Sequence, residues 1–431
     1  MRLWMKAGLV ALGYSIVHAE TAEKPAAEDS VLAVSQSLRP TARPEAQGGK
    51  EERVRDSSDN GGFDDWLAGF RARAAGEGIS AKTLERAFAG VSYDPEVIRR
   101  DRNQNEFTKT VWVYLDSAAS DDRIAAGKAA VEKHRALLDR IEAQYGVDRY
   151  IVAAIWGLES AFGAFRGNDS TIRSLATLAF DERRRAFFEN ELMTLLRIVD
   201  SGEVGVAALK GSWAGAMGHT QFMPSSFQAH AVDFTGDGRR DIWSDDPSDA
   251  LASTAAYLRH FGWTKGQPWG VEVNLPEGFA YTLANRDIMK PPSDWAELGV
   301  LGLDGRPVPE HGPASILLPG GAEGAAFMIF DNFEVLEHYN TADAYVIGVG
   351  HLADRIRGGG PVRHPWPRED RALTFDERVE LQRLLTAKGF DTVKLDGRIG
   401  PLTINAVRAY QVASGLLPDG YASPRLLERL R

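Results

Sequence analysis

The chain has no cysteine in its 431 residues. That excludes disulfide frameworks, thiolate nucleophiles, iron–sulfur clusters, cysteine-held zinc and any lipid attached through a cysteine. Histidine is sparse, nine in all, and no pair has the HExxH spacing of a zinc hydrolase. There is no basic excess either: 50 basic residues face 60 acidic ones, a net charge of −10. A dedicated nucleic-acid binder is usually basic, so no nucleic-acid partner is expected. Beyond the N-terminus no apolar run is long enough for a membrane helix. What remains is an ordinary globular composition, 44% hydrophobic and 26% charged, with length enough for two or three cores.

The N-terminus reads as an address. Arg2 and Lys6 precede an apolar stretch, Ala7 to Val17, too short to span a bilayer, and Val17-His18-Ala19 offers a cleavage site. Residues 1–19 are therefore expected to be a signal peptide, and the mature protein to be periplasmic and soluble, with no membrane anchor after cleavage. A retained short anchor is the alternative. Residues 20–62 are rich in Ala, Pro, Ser, Glu and Gly and hold no aromatic. Such a segment cannot bury enough apolar area to offset its ordering entropy, so a disordered linker is expected.

From 63 to 357 the pattern is mostly helical. Trp66, Leu67 and Phe70 fit helical spacing, as do Leu137, Leu138, Ile141 and Tyr145. Glycine- and proline-rich connections, Gly266 to Gly278 and Leu303 to Gly324, carry short apolar runs that suit small strands, Ser315 to Leu318 among them. Residues 358–370, with Gly358-Gly359-Gly360-Pro361 and His364-Pro365-Trp366-Pro367, read as a second linker. Residues 371–431 repeat a turn and helix start, Asp396-Gly397-Arg398-Ile399-Gly400-Pro401 and Asp419-Gly420-Tyr421-Ala422-Ser423-Pro424. Asp376 is a candidate cap for the helix before them, with Gly389 as its stop. This predicts a small three-helix domain, too plain to be catalytic.

The chemistry centres on Glu159. Tyr150 to Gly163 reads as a buried helix, capped by Asp148 and stopped by Gly163. Glu159 is its only charge, and its helical neighbours are Ile155, Trp156 and Phe162. Apolar surroundings and the negative end of the helix dipole both resist ionisation of a carboxyl, which suits a general acid. A carboxylate exposed at a helix end, or paired with Arg166, is the plainer alternative. A second constellation, Gly211 to Ser226, combines glycines that admit close approach with Ser212 and Gln221 as hydrogen-bonding groups and Trp213 and Phe222 as flat faces. Asp233-x-Thr235-x-Asp237-Gly238-x-x-Asp241 matches the start of an EF-hand loop, though Ser244 stands where the closing Glu is usual.

Trp156-Gly157-Leu158-Glu159-Ser160, Gly211 to Ser226, Ala231 to Gly238, and Phe333 to Asn340 through Tyr345 resemble the lytic murein transglycosylases of the B type. The terminal domain resembles a peptidoglycan-binding domain. The resemblance implies a mainly α fold: an α+β lysozyme-like catalytic domain at 63–357 with a small three-helix domain at 371–431. It implies Glu159 as the single catalytic acid, Ser212 and Gln221 near the cleaved sugar, and Tyr257, Tyr339, Asn340 and Tyr345 along the groove's second wall. It implies contact of part of Arg183-Arg184-Arg185 with substrate carboxylates. Where several relatives carry an aromatic this chain has His219, so sugar contacts there are expected to differ. A cation is implied at Asp233, Thr235, Asp237 and Asp241, with Asp249 as closing ligand. Structural Ca²⁺ and a metal-free Asp-Gly turn both remain open, and no cofactor is required for catalysis.

The implied reaction is cleavage of the MurNAc–GlcNAc β-1,4 bond of peptidoglycan glycan strands, leaving 1,6-anhydro-MurNAc ends. Other cell-wall enzymes are admissible partners. No second carboxyl has an equally apolar setting, and two-carboxylate hydrolysis needs one. A hydrolysing muramidase and a non-enzymatic wall-binding scaffold are the competing readings.

Overall fold

The computed structural model describes residues 60–102 and 109–431. The expected signal peptide, 1–19, and the linker of 20–62 up to residue 59 lie outside the described residues.

Helices fall where the apolar spacing predicts them. Leu67 and Phe70 are buried on the helix Asn60–Gly76, and Leu138 and Ile141 on the helix Arg135–Tyr145. Ser80, Thr110, Ser120 and Ser170 each accept a backbone N–H of the first turn that follows them, which satisfies a donor the helix cannot. The helix Arg149–Ser160 is capped the same way, Asp148 Oδ1 accepting from Tyr150 N at 2.8 Å. Ile151 to Gly157 are buried along it, and it packs against the helices Asp121–Lys133 and Asp343–Arg357.

That helix stops before Gly163. Ala161 caps it at φ 49°, Phe162 follows at 59° and Gly163 at 88°. Two non-glycine residues thus sit in the left-handed region, which is costly and persists only where surrounding contacts impose it. Here Phe162 folds back over Gly157, where a Cβ would lie 2.5 Å from the ring. Ser160 Oγ then accepts from Gly163 N at 2.9 Å.

Strands are few. β1 (Asp169–Ser170) and β2 (Lys210–Gly211) form an antiparallel pair. β3 (Gly270–Asn274), β4 (Leu301–Gly302), β5 (Ser315–Leu317) and β6 (Ala326–Ile329) form an antiparallel sheet in the order β4-β3-β6-β5. The glycine-rich connections therefore hold β3 and β5. Three apolar cores result: a helical one from Phe63 to Ile356, a second on the sheet around Trp295 and Phe330, and a third in the terminal domain around Leu381, Val407 and Leu427. The fold is mainly helical with a small sheet, as expected.

The terminal domain departs from expectation in two ways. Its first helix, Phe375–Ala387, is capped by Thr374 and not by Asp376. Thr374 Oγ1 accepts from Glu377 N while the Glu377 carboxylate accepts from Thr374 N, a reciprocal box that satisfies two donors at once. Asp376 lies inside the first turn; Gly389 at φ 92° follows the helix as predicted. Nor does the domain hang on a free tether. Trp366 stacks between Trp112 and Phe327, Glu272 accepts from the backbone of Arg363 and His364, and Arg368 pairs with Asp116. Arg408 donates to the Ala284 carbonyl, and Asp419 accepts from Ala322 N.

Candidate active site

Glu159 lies in the last turn of the buried helix, and Tyr345 Oη donates to its Oε1 at 2.6 Å. Tyr345 comes from the first turn of the helix Asp343–Arg357, 186 residues away in sequence, and is 1% exposed. A hydrogen bond to an ionised carboxylate is shorter and about twice as strong as a neutral one. The Tyr339 ring lies parallel to Tyr345, centroids 6.4 Å apart, and its hydroxyl donates to the Thr220 carbonyl. Burial, with the charge of Glu159 next, holds the Tyr339 phenol well above its ordinary pKa. Tyr257 donates to the His338 carbonyl at 2.6 Å, and burial pushes its phenol up as well. Tyr257 and Tyr339 are thus buried with their hydroxyls committed to backbone. Asn340 is buried too: its side-chain oxygen accepts from Ala342 N, while its Nδ2 has no partner.

The Gly211–Ser226 segment is a loop cross-braced on itself. Met217 and Phe222 exchange backbone bonds, and Ser212 N donates to Ala216 O. Ser212 Oγ accepts from the N–H groups of Ala214 and Ala216, which leaves its own proton to donate. Gln221 sits at φ 54°, and its Nε2 donates to the carbonyls of Gly218, at 2.8 Å, and Arg166, at 3.1 Å. Its Oε1 is left as an acceptor. Phe222 is buried in the main core and offers no open face; Trp213 is half-buried.

His219 points inward. Its Nδ1 accepts from Trp156 Nε1 at 3.1 Å, so the proton sits on Nε2, which faces the Ser244 carbonyl at 2.8 Å. Burial lowers its pKa. Ser160 Oγ donates to the His219 carbonyl at 2.5 Å, so the residue ties the end of the Glu159 helix to the loop beyond Asp241. In this structure His219 is a buried packing residue.

The basic run is largely spent internally. Arg183 pairs with buried Asp101, Arg184 lies over Phe187 and Phe188, and Arg185 pairs with Glu182. Two carboxyls, one buried and one half-buried, carry no signal in the sequence. Glu191 accepts from Ser225 N and Oγ at the start of the helix Pro224–His230, and burial pushes it to about 7. Glu337 is pushed to about 7 by burial and bonds Arg286 at 2.6 Å. Neither could be found from spacing, because the partners lie 34 and 51 residues away.

In the aspartate loop each carboxylate accepts backbone N–H groups. Asp233 takes those of Gly236, Asp237 and Gly238, Asp249 those of Phe234, Thr235 and Asp241, and Asp241 those of Trp243 and Ser244. Thr235 Oγ1 donates to Asp233, and Asp237 accepts from Arg239 N. Among the described residues no three His, Asp or Glu side chains are grouped to hold a metal ion.

A cleft of about 1090 Å³ opens between the helical core and the terminal domain. Tyr345, Asn340 and Arg183 line one side and Arg398 and Tyr421 the other, while Glu159, Ser212 and Gln221 are not among its walls. A second hollow of about 490 Å³ is lined by Arg166, Gly218 and Trp243, on the side where Gln221 is anchored.

The site is thus a carboxyl at the end of a buried helix, bonded by a tyrosine and tied through Ser160 to a braced glycine-rich loop, in a helical fold with a helical accessory domain. The Transglycosylase SLT domain model matches residues 62–354, and the model of a putative peptidoglycan binding domain matches 376–430. The chain belongs to the SLT transglycosylase family. It is 34% identical over 251 residues to membrane-bound lytic murein transglycosylase B of Escherichia coli K12, a match that spans 56% of this chain and 66% of that protein. Among solved structures it is similar to SltB3 from Pseudomonas aeruginosa in complex with NAG-anhNAM-pentapeptide: 48% identity, TM-score 0.82, covering 86% of this chain and 99% of that one. It is also similar to the Escherichia coli lytic transglycosylase SLT35 in complex with calcium, at 28% identity and TM-score 0.58, covering 72% and 98%.

Proposed function

We propose that the chain is a lytic murein transglycosylase that cleaves the MurNAc–GlcNAc β-1,4 bond of peptidoglycan and leaves 1,6-anhydro-MurNAc ends, with Glu159 as acid and then base. The observation that carries this reading is the 2.6 Å bond from Tyr345 to Glu159 at the end of a buried helix. Protonated Glu159 gives its proton to the glycosidic oxygen as the bond to MurNAc C1 breaks. The positive charge that develops at C1 is shared by the sugar's own N-acetyl group. Glu159, now ionised and bonded by Tyr345, takes the proton of the same sugar's 6-hydroxyl, whose oxygen closes on C1. An internal nucleophile has a high effective molarity, so no water need be activated. Ser212 as donor and the Gln221 carbonyl as acceptor suit the polar substituents of a sugar. Asn340, whose Nδ2 is buried without a partner, lines the cleft with Tyr345.

The one-carboxyl route is supported by the state of the other candidates. Glu337 is held by Arg286, and Asp169 is a half-exposed partner of Arg100. Mass spectrometry of products from purified murein tests the proposal. Anhydro ends, lighter than hydrolysed ends by one water, are expected; reducing MurNAc ends would establish a muramidase instead.

The same proposal takes 1–19 as a cleaved signal peptide, places the enzyme in the periplasm, assigns catalysis to 63–357 and wall binding to 371–431. Among the described residues no helix is long and apolar enough to cross a membrane. It also keeps a structural calcium ion in the Asp233–Asp241 loop with Asp249 as closing ligand; the carboxylates would have to close onto the ion, since no three of them are grouped to hold a metal among the described residues. The loop conformation supports this: Gly238, sixth in the loop, sits at φ 87°, and Asp233 accepts the N–H groups of positions four, five and six. No catalytic step runs through the ion.

A further inference from the structure

The reaction as proposed leaves one half-buried ion cluster unused. Arg286 stands just after the single helical turn Tyr281–Leu283, next to the sheet core. Its Nη1 donates to Glu337 Oε1 and its Nη2 to Asp343 Oδ1, both at 2.6 Å, and its guanidinium lies 4.9 Å from the centre of the Phe333 ring. The side chain is 16% exposed. Glu337 belongs to the last turn of the helix Asp331–Tyr339, and Asp343 is the first residue of the helix Asp343–Arg357.

One guanidinium therefore spans the whole turn between two helices. Tyr339 and Asn340 lie inside that span, and Tyr345 follows two residues after it. The fork is rigid and planar, so two parallel arms fix both the separation and the angle of what they hold. Without the cation, Glu337 and Asp343 would face each other as like charges. The remaining bonds at the turn go mostly to backbone: Tyr257 donates to the His338 carbonyl, Asn340 N to Leu336 O and Tyr345 N to Ala342 O. Within it, Tyr339 donates to Thr220 and Asn340 accepts from Ala342, while the Asn340 amide nitrogen is unmatched. Arg286 is itself seated firmly: its chain neighbour but one, Ala284, accepts from Arg408 of the terminal domain.

We infer that Arg286 is a positioning residue for the catalytic pair: by bridging Glu337 and Asp343 it sets the turn that presents Tyr345 to Glu159. This rests on Glu159 being the acid. A displacement of about 1 Å at reacting groups can cost on the order of a hundredfold in rate. A residue that does not touch the acid can therefore govern kcat; Arg286, Glu337 and Asp343 also line the large cleft, so the split between kcat and KM is what separates positioning from substrate contact.

The test uses the full-length protein and soluble, uncross-linked glycan strands, with release of anhydro-ended products as readout. Arg286→Lys keeps the charge but, as a point charge, cannot hold both carboxylates in fork geometry. We expect kcat to fall by roughly ten- to a hundredfold, the scale of a small misplacement, while KM stays within about twofold. Glu337→Gln removes the charge from one arm and keeps the packing; it should lower kcat in the same direction. The double variant should lose little more than Arg286→Lys alone, since both remove one interaction. A folded Arg286→Lys with wild-type kcat, or losses that simply multiply in the double variant, would overturn the inference. If Arg286→Lys does not fold, Glu337→Gln decides: unchanged kcat refutes, lowered kcat at unchanged KM supports. Failure of the wild type to make anhydro ends would instead remove the reading of Glu159 on which this rests.

Discussion

Tyr345→Phe isolates the contact that defines the site. The substitution deletes one hydroxyl from a side chain that is 1% exposed and leaves the ring, with its parallel neighbour Tyr339, in place. What is lost is the 2.6 Å bond to Glu159 Oε1. A hydrogen bond to a charged group contributes about 1.5–3 kcal/mol. Glu159 carries full charge only after it has given its proton to the leaving oxygen, so the bond strengthens along the reaction and its loss falls on kcat. At about 1.4 kcal/mol per tenfold, kcat should drop by roughly 10- to 150-fold. KM should change little, because the hydroxyl is committed to the acid and not to the sugar. The assay is initial-rate release of anhydro-ended products from soluble glycan strands, with circular dichroism to show that the variant is folded. A loss of less than threefold in a folded variant would refute the argument that Tyr345 supports Glu159 in the transition state.

Glu159→Gln keeps size and removes the transferable proton; cleavage of murein should fall below about a thousandth while binding to sacculi persists, the scale general acid catalysis supplies, and measurable retained turnover would assign the acid elsewhere. Truncation after Gly359 removes Trp366 from between Trp112 and Phe327 and opens one side of the large cleft. It should therefore weaken sacculus binding and also slow cleavage of short soluble glycans, and an unchanged rate on the latter would return the terminal domain to the role of a distant anchor. Calcium at millimolar concentration should raise the melting temperature by a few degrees, the scale of about 1 kcal/mol from a weak site. Asp237→Ala should abolish the rise, and identical wild-type melting curves in calcium and in chelator would leave the loop an ordinary Asp-Gly turn.

Local features were legible in the sequence because local chemistry sets them. Asp148 had to cap the helix carrying Glu159, since a side-chain oxygen there meets a donor the helix cannot satisfy. Asp376 was misread for a related reason: Thr374 competes for the same end, and its pairing with Glu377 satisfies two donors where Asp376 would satisfy one. Phe222 read as an open face because periodicity cannot tell a buried ring from an exposed one in a glycine-rich loop. Gly163 read as the stop because the fold-back of Phe162 over Gly157, which forces Ala161 into the left-handed region, is a packing event.

The sequence by itself determined the mainly helical class, the single carboxyl in an apolar helix, the glycine-rich loop beside it and the separate terminal domain. Each is carried by residues within a few turns of one another, where spacing and dipole act directly. Only the tertiary structure decided that Tyr345 bonds Glu159, that Arg286 bridges Glu337 and Asp343, and that the terminal domain docks as one side of the cleft. Those partners lie from tens to nearly two hundred residues apart, and what brings them together is the burial of three shared cores, which no local pattern of charge or periodicity encodes.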